Sequence, residues 1–223
     1  MKNIYLNIFK PNLSNLKKAK KNVENNNVIG IPTETVYGLA GNAYSNKSIK
    51  KIFKLKKRPS YNPLIIHFSN LAQLKNDVFI NNHFKKLYKV FCPGPITFIL
   101  KQKNQSKISK FATAGKKTVA VRIPKHKVVR DLLSILKLPL AAPSANISSK
   151  LSPTSAKDVY DEFKKKIKFI LDGGRCKIGV ESTILDLTGK PAILRPGSIT
   201  AKEIEKILKI KVRVQTNSKI IKS

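Results

Sequence analysis

Apolar positions recur along this chain in two periods, and the switches between those periods lay out its elements. Leu13, Leu16, Ala19 and Val23 fall at helical spacing after Pro11, and the run Asn25 to Asn27 ends that helix. A second helix is predicted from Asn46 or Ser48, either of which can cap it, through Ile49, Ile52 and Phe53 to about Lys56, with Pro59 as the stop. Two further helices are predicted at 70–76 and 81–91, the latter with Phe84, Leu87, Tyr88 and Phe91 on one face. Pro124 opens one through Leu136, Ser152-Pro153-Thr154 introduces one with Ala156, Val159 and Phe163 facing inward, and a last one covers 199–208. Between them, short apolar runs read as strands at 28–32, 64–68, 96–101, 119–123, 138–142, 169–171, 182–187 and 192–194, with 1–9 and 212–214 as candidate edges. Strands and helices alternate irregularly. The expected fold is therefore α/β (α+β): a twisted mixed parallel/antiparallel sheet flanked by helices.

At 223 residues the chain suits one domain, taken as residues 1–215 with a short basic tail at 216–223. Cys92 and Cys176 stand far apart and have no metal-ligand spacing, which fits a reducing compartment and excludes a disulfide framework. No apolar run approaches a bilayer-spanning length, and no apolar core follows a basic segment at the N-terminus, so a soluble cytoplasmic protein is expected. A net charge of +33 would draw phosphate irrespective of sequence. Lysine, however, is spread through nearly every segment beside abundant asparagine and isoleucine, the mark of A+T-rich codons, and that dilutes the signal. The six arginines, Arg58, Arg122, Arg130, Arg175, Arg195 and Arg213, are more selective. Arg58, Arg122 and Arg195 lie inside motifs where a planar fork for carboxylate or phosphate is wanted.

The chemistry concentrates where strands end. Val28 to Pro32 runs into Thr33-Glu34-Thr35-Val36-Tyr37, and Gly30, Gly38 and Gly41 are expected to turn the backbone so that these polar groups stay at the surface. The loop Lys56 to Asn62 sets cations between the helix end and Pro63, and the following strand ends on His67, which is either a satisfied, partly buried histidine or a substrate contact. His83 and His126 are read as surface residues, and no zinc signature links the three histidines. Ser144, Asn146, Ser148 and Ser152 form a second hydroxyl cluster, with no acid or histidine spaced to make Ser144 a triad nucleophile. They suit phosphate, ribose or base.

Together, these stretches resemble the threonylcarbamoyl-AMP synthase family with its YrdC-like fold. The resemblance is carried by Pro32 to Leu39, Lys56-Lys57-Arg58-Pro59 with Asn62-Pro63-Leu64, Pro93 to Thr97, Val121 to Pro124, Ala142 to Ser148, Ser182-Thr183-Ile184 and Arg195-Pro196-Gly197, in the family's order. It implies a large concave basic cavity and a nucleotidyltransferase that joins L-threonine, bicarbonate and ATP, with Mg2+ on the phosphates, into threonylcarbamoyl-AMP and pyrophosphate. It also implies a partner tRNA threonylcarbamoyl transferase that passes the group to the adenosine beside the anticodon in tRNAs reading A-starting codons. Direct binding of tRNA or double-stranded RNA is compatible with the charge. By this likeness Thr35, His67, Arg122 and Ser182 would hold threonine, and Lys56, Arg58, Asn62, Thr118, Ser144, Ser152 and Arg195 would hold ATP or the adenylate. No residue is expected to act covalently, and no metal-ligating side chain is expected.

Ser149 departs from the pattern by standing where the family often has glycine. The chain resembles the short form, without an additional C-terminal domain, and the polar residues 102–117 are expected to form a mobile lid. The alternatives are an RNA-binding accessory protein using the same basic surface and a carbamoyl-transfer domain of the hydrogenase-maturation type. Both predict no threonine-dependent ATP turnover.

Overall fold

Each long helix begins where a polar side chain can take up an orphan N–H. In the computed structural model, which describes residues 6–215, β1 (Ile8–Phe9) leads into α1 (Leu13–Glu24), capped by Asn12 onto the Asn15 N–H. Next come β2 (Ile29–Ile31), β3 (Gly38–Asn42) and α2 (Asn46–Lys56), whose cap is Ser45, one residue before the expected candidates. Then follow β4 (Ile65–His67), α3 (Leu71–Leu74) and α4 (Asn82–Phe91), the last capped by Asn81. The chain continues through β5 (Ile96–Lys101), β6 (Thr118–Arg122), α5 (Lys127–Leu136) and β7 (Leu140–Ala141). It closes with α6 (Ala156–Phe163), β8 (Ile170–Leu171), β9 (Thr183–Asp186), β10 (Ala192–Arg195), α7 (Ala201–Leu208) and β11 (Arg213–Val214). Capping boxes start α6 (Ser155 with Asp158) and α7 (Thr200 with Glu203). The expected tail at 216–223 and the first five residues of the expected edge strand lie outside the described residues.

The strands form one mixed sheet in the order β1-β8-β2-β3-β7-β4-β6-β5-β9-β10-β11. One apolar cluster packs Ile49 and Ile52 of α2, Phe84 and Leu87 of α4, Val159 and Phe163 of α6, and Ile204 and Leu208 of α7 against Leu39, Ile66, Phe98, Val121 and Leu185. A second joins α1 and α5 through Leu16, Val23, Val129, Leu132 and Leu133 to Ile29, Ile31, Ala40 and Leu140. Helices thus cover one face broadly and the other only beside β2, β3 and β7. The alternation of β5 and β6 shows the consequence. Phe98, Leu100, Val119 and Val121 are core, while Ile99, Thr118 and Ala120 on the opposite face are only half-buried. That uncovered half of the sheet is the floor on which the polar residues gather.

Two expectations are corrected. Gly30, Gly38 and Gly41 make no turns: they lie in an antiparallel β2–β3 hairpin, Gly30 opposite Leu39 and Gly38 opposite Ile31. They are glycine for want of room, since a Cβ on Gly41 would stand 2.3 Å from Ser48 Oγ. The 102–117 segment is stitched down rather than free. Ile108 and Ala112 are buried in the core, the Ser109 N–H donates to Ala43 O (3.0 Å), the Leu64 N–H donates to Ala112 O (2.8 Å), and Asp77 accepts from Ser106 Oγ (2.7 Å). It forms no lid.

Candidate functional site

The Thr33 to Tyr37 stretch links β2 to β3 and is buried throughout, against the surface placement expected for it. Thr33 Oγ1 accepts the Thr35 and Val36 N–H groups and donates to Val36 O (2.6 Å), a self-satisfied turn that aims Thr35 and Glu34 at the sheet floor. Tyr37 is structural: its hydroxyl accepts the Gly173 N–H (3.1 Å) and donates to Gly174 O (2.8 Å). The Ile178 and Gly179 N–H groups donate to Glu34 O and Thr35 O, both at 3.0 Å, so the 172–180 loop lies over the stretch.

β4 and β6 run parallel with His67 opposite Arg122, which brings two residues far apart in sequence onto one patch of floor. Arg122, 4% exposed, donates from Nη2 to Glu34 Oε1 (2.7 Å), from Nη1 to Thr35 Oγ1 (2.9 Å) and from Nε to Gly94 O (3.3 Å). The other Glu34 oxygen accepts the Lys125 and His126 N–H groups at 3.0 and 3.3 Å. Burial alone would raise the Glu34 pKa, but the charge and hydrogen bond of Arg122 and the backbone donors overrule it and hold it below the ordinary 4.5. His67, 2% exposed, has no partner on either ring nitrogen among the described residues. Burial, and then the charge of Arg122, keep it neutral, well below 6.5. It is therefore not a satisfied core histidine. One donor and one acceptor are left facing the floor. Ser182, at the mouth of β9, shares a 2.8 Å hydrogen bond with Thr97. Arg195 Nη2 donates to its carbonyl (3.0 Å) and hydroxyl (3.2 Å).

A second cluster adjoins the first. Lys56 ends α2 only 1% exposed, and its Nζ donates to Ser144 O (2.7 Å), Asn146 O (2.7 Å) and Asn146 Oδ1 (3.2 Å). Burial and the nearby Arg58 push its pKa down to about 7, yet three oxygens around one nitrogen call for the three N–H bonds of an ammonium. All three donors are thereby spent inside the protein. Arg58 is folded back on its own loop, donating to Asn62 O and Pro63 O, both at 3.0 Å, and burial lowers it to about 10 against the pull of Glu181. Ser152 donates to Glu181 Oε1 (3.0 Å), and Arg195 forms an ion pair with the other oxygen. Burial lowers the Arg195 pKa and Glu181 opposes that shift. Gly197 permits this corner, since a Cβ there would meet Thr183 N at 2.4 Å.

The sites expected from sequence are thus brought together in two groups, Thr35, His67, Arg122 and Ser182 in one, and Lys56, Arg58, Asn62, Ser144, Ser152 and Arg195 in the other. Thr118 stands apart, at the opposite end of β6 from Arg122 and paired with Lys101, though on the Arg122 face. Sequence reading missed the roles of Glu34, Glu181 and Thr97, and it misplaced His126. That residue caps α5 with its ring, which also lies 3.2 Å from Gly173 O. Arg122 on a buried strand carried the one available signal for Glu34, because a buried guanidinium requires an acid somewhere. Ser149, where glycine was expected, does hold a left-handed φ of 73°, a conformation that is strained for serine.

Among the described residues no three His, Cys, Asp or Glu side chains gather as a metal site, and no helix is long and apolar enough to cross a membrane. The profile of the Sua5/YciO/YrdC family, described as "Telomere recombination", matches residues 21–197. Over 183 residues the chain is 46% identical to the threonylcarbamoyl-AMP synthase of Pyrococcus abyssi, covering 81% of this chain and 53% of that one. It is 31% identical to a putative threonylcarbamoyl-AMP synthase of Methanocaldococcus jannaschii, covering 92% of this chain and 98% of that one. The crystal structure of P. abyssi Sua5 complexed with L-threonine superposes with a TM-score of 0.88 at 40% identity, covering 94% of this chain and 62% of that one. The chain spans about half the length of the P. abyssi synthase.

Proposed function

Because this chain belongs to the Sua5/YciO/YrdC family, we propose that it is an L-threonylcarbamoyladenylate synthase, making threonylcarbamoyl-AMP and pyrophosphate from L-threonine, bicarbonate and ATP. The observation that carries this reading is the pairing of a braced Arg122 with a neutral His67 that has no partner among the described residues, side by side and buried on the sheet floor. Buried polar atoms without partners are costly in a native protein, and a ligand that completes them is the simplest reason to keep them. An amino acid fits. Its carboxylate takes the donors Arg122 has left, and Thr35, His67 and Ser182 surround the rest with hydroxyls and an imidazole able both to give and to accept. A relative of this family has been solved with L-threonine bound.

The adjoining cluster suits the nucleotide, with Arg58 and Arg195 toward the phosphates and Ser144, Ser152, Asn62 and Thr118 toward phosphate, ribose or base. Lys56 contributes indirectly, by locking the 144–146 backbone. In the reaction the threonine amine and bicarbonate form a carbamate with loss of water. A carbamate oxygen then attacks the α-phosphorus, and the bond to pyrophosphate breaks. The residues orient the two reactants and stabilise negative charge on the phosphate, with no covalent intermediate on the protein. Mg2+ would enter on the phosphates of ATP as part of the substrate. Among the described residues, Glu34 is engaged by Arg122 and two N–H groups, and both Glu181 oxygens face Ser152 and Arg195.

The product would serve a partner tRNA threonylcarbamoyl transferase acting on the adenosine beside the anticodon, and the protein would work in the cytoplasm beside that partner. The test is pyrophosphate release with ATP, bicarbonate and L-threonine, against serine and against no amino acid, on wild type and Arg122→Ala. Threonine-dependent release that collapses in the variant is expected. No release under any condition, with salt-sensitive tRNA binding, would replace this reading with RNA binding.

A further inference from the structure

Resting on the nucleotide reading above, we propose that Glu181 is an internal anion seated in the phosphate position, so that a polyphosphate must displace a carboxylate before it can bind. Glu181 accepts from Ser152 Oγ at 3.0 Å and pairs with Arg195 through its other oxygen, so its two oxygens hold the donors a phosphoryl group would need. Lys56 and Arg58 lie close enough for the Glu181 charge to act on both. Two of the residues assigned to the nucleotide, Ser152 and Arg195, thus close directly on one carboxylate.

The neighbouring acids are otherwise occupied. Glu34 belongs to Arg122, and Glu162 pairs with Lys150 at 3.1 Å and accepts the Ile147 N–H. The side chain of Glu181 is 22% exposed, so it has a way out of the cluster without movement of the backbone. That backbone is held, because the Ile178 and Gly179 N–H groups are bonded to Glu34 O and Thr35 O. A carboxylate within a few ångströms of the incoming phosphates repels a bare triphosphate more than one whose charge Mg2+ has halved. Glu181 therefore also biases the site toward the Mg2+-loaded nucleotide.

The probe is inorganic pyrophosphate in buffer containing EDTA, titrated calorimetrically into wild type, Glu181→Gln, Glu181→Ser and Glu181→Asp, each checked by thermal melting. Removing the charge should tighten pyrophosphate binding about five- to tenfold at low salt, the scale of one like-charge repulsion in a partly solvated site, and the gain should shrink as ionic strength rises. Glu181→Asp, which keeps the charge, should stay within about twofold of wild type. Two charge-removing variants are included so that one that fails to fold leaves the other. Equal or weaker binding in the folded charge-removing variant overturns the proposal and makes Glu181 a brace for Arg195. If neither wild type nor the charge-removing variants bind pyrophosphate in EDTA, and wild type does not bind Mg2+-ATP either, the nucleotide reading falls as well, which separates the two failures.

Discussion

Glu34→Ala is the perturbation that weighs most on the architecture of this site. Both members of the Glu34–Arg122 pair are nearly sealed from water, with side-chain exposures of 9% and 4% at 2.7 Å. Deleting the acid leaves a guanidinium buried with only Thr35 Oγ1 and Gly94 O, and the Lys125 and His126 N–H groups lose their acceptor. Breaking a buried pair from one side costs about 3–5 kcal/mol, a large share of the roughly 5–15 kcal/mol that holds a domain together. Removing both partners as Glu34→Ala with Arg122→Met should cost less than the sum of the single variants, because no lone charge remains, and the coupling should exceed about 1 kcal/mol. Urea unfolding followed by circular dichroism reads each corner of the cycle. The pH dependence supplies an independent arm. The Glu34 pKa is depressed in the folded state, so its contribution is fully present above 4.5, the unfolded value, and is lost as pH falls through the lower folded one. The gap between wild type and Glu34→Ala should therefore narrow below pH 4.5. A loss under about 1 kcal/mol at neutral pH, or a gap that is constant into acid, would refute the account of Glu34 as the buried counter-charge of Arg122.

Two further outcomes follow from the same geometry. His67→Leu should raise stability by about 1–2 kcal/mol, because two unpartnered buried nitrogens are replaced by an apolar side chain, while threonine-dependent pyrophosphate release is abolished. The same variant should also be less acid-sensitive: the folded His67 pKa lies below the unfolded 6.5, so wild type loses stability as pH falls below 6.5 and the leucine variant lacks that component. A destabilised His67→Leu would show that the ring is held by partners after all. Lys56→Met should cost about 2 kcal/mol or more, by stranding the carbonyls of Ser144 and Asn146, and should speed amide exchange across 144–148. Unchanged exchange there would mean that the loop holds its shape without the lysine.

Helical periodicity and capping chemistry made α1, α2, α4, α5 and α7 legible, because both are local: an apolar stripe at a period of 3.6 and a hydroxyl or amide at the start carry their own instructions. The motif order also marked most of the residues that the fold gathers into the two clusters, one residue at a time. What no local pattern contained was the set of partnerships between them. β3 was hidden because glycines ordinarily signal turns, and only tertiary packing shows that Gly41 lacks room beside α2 and Gly30 lacks room beside Ile170 of β8. The 102–117 segment is polar enough to suggest a free loop, yet Ile108 and Ala112 reach the core and Asp77 ties it down.

Local pattern carried the residue types, the elements that bear them and the expectation of polar, anion-binding strand ends, and the family likeness added the amino acid. Tertiary structure alone decided that Glu34 meets Arg122 across 88 positions, that parallel pairing sets His67 beside that guanidinium, and that Lys56 is spent on the 144–146 loop. It also decided that Glu181 sits against Arg195 and Ser152. The reason is physical. Capping and periodicity depend on neighbours within one turn, whereas charge compensation in a buried site depends on which strands pair, and that is a property of the whole sheet.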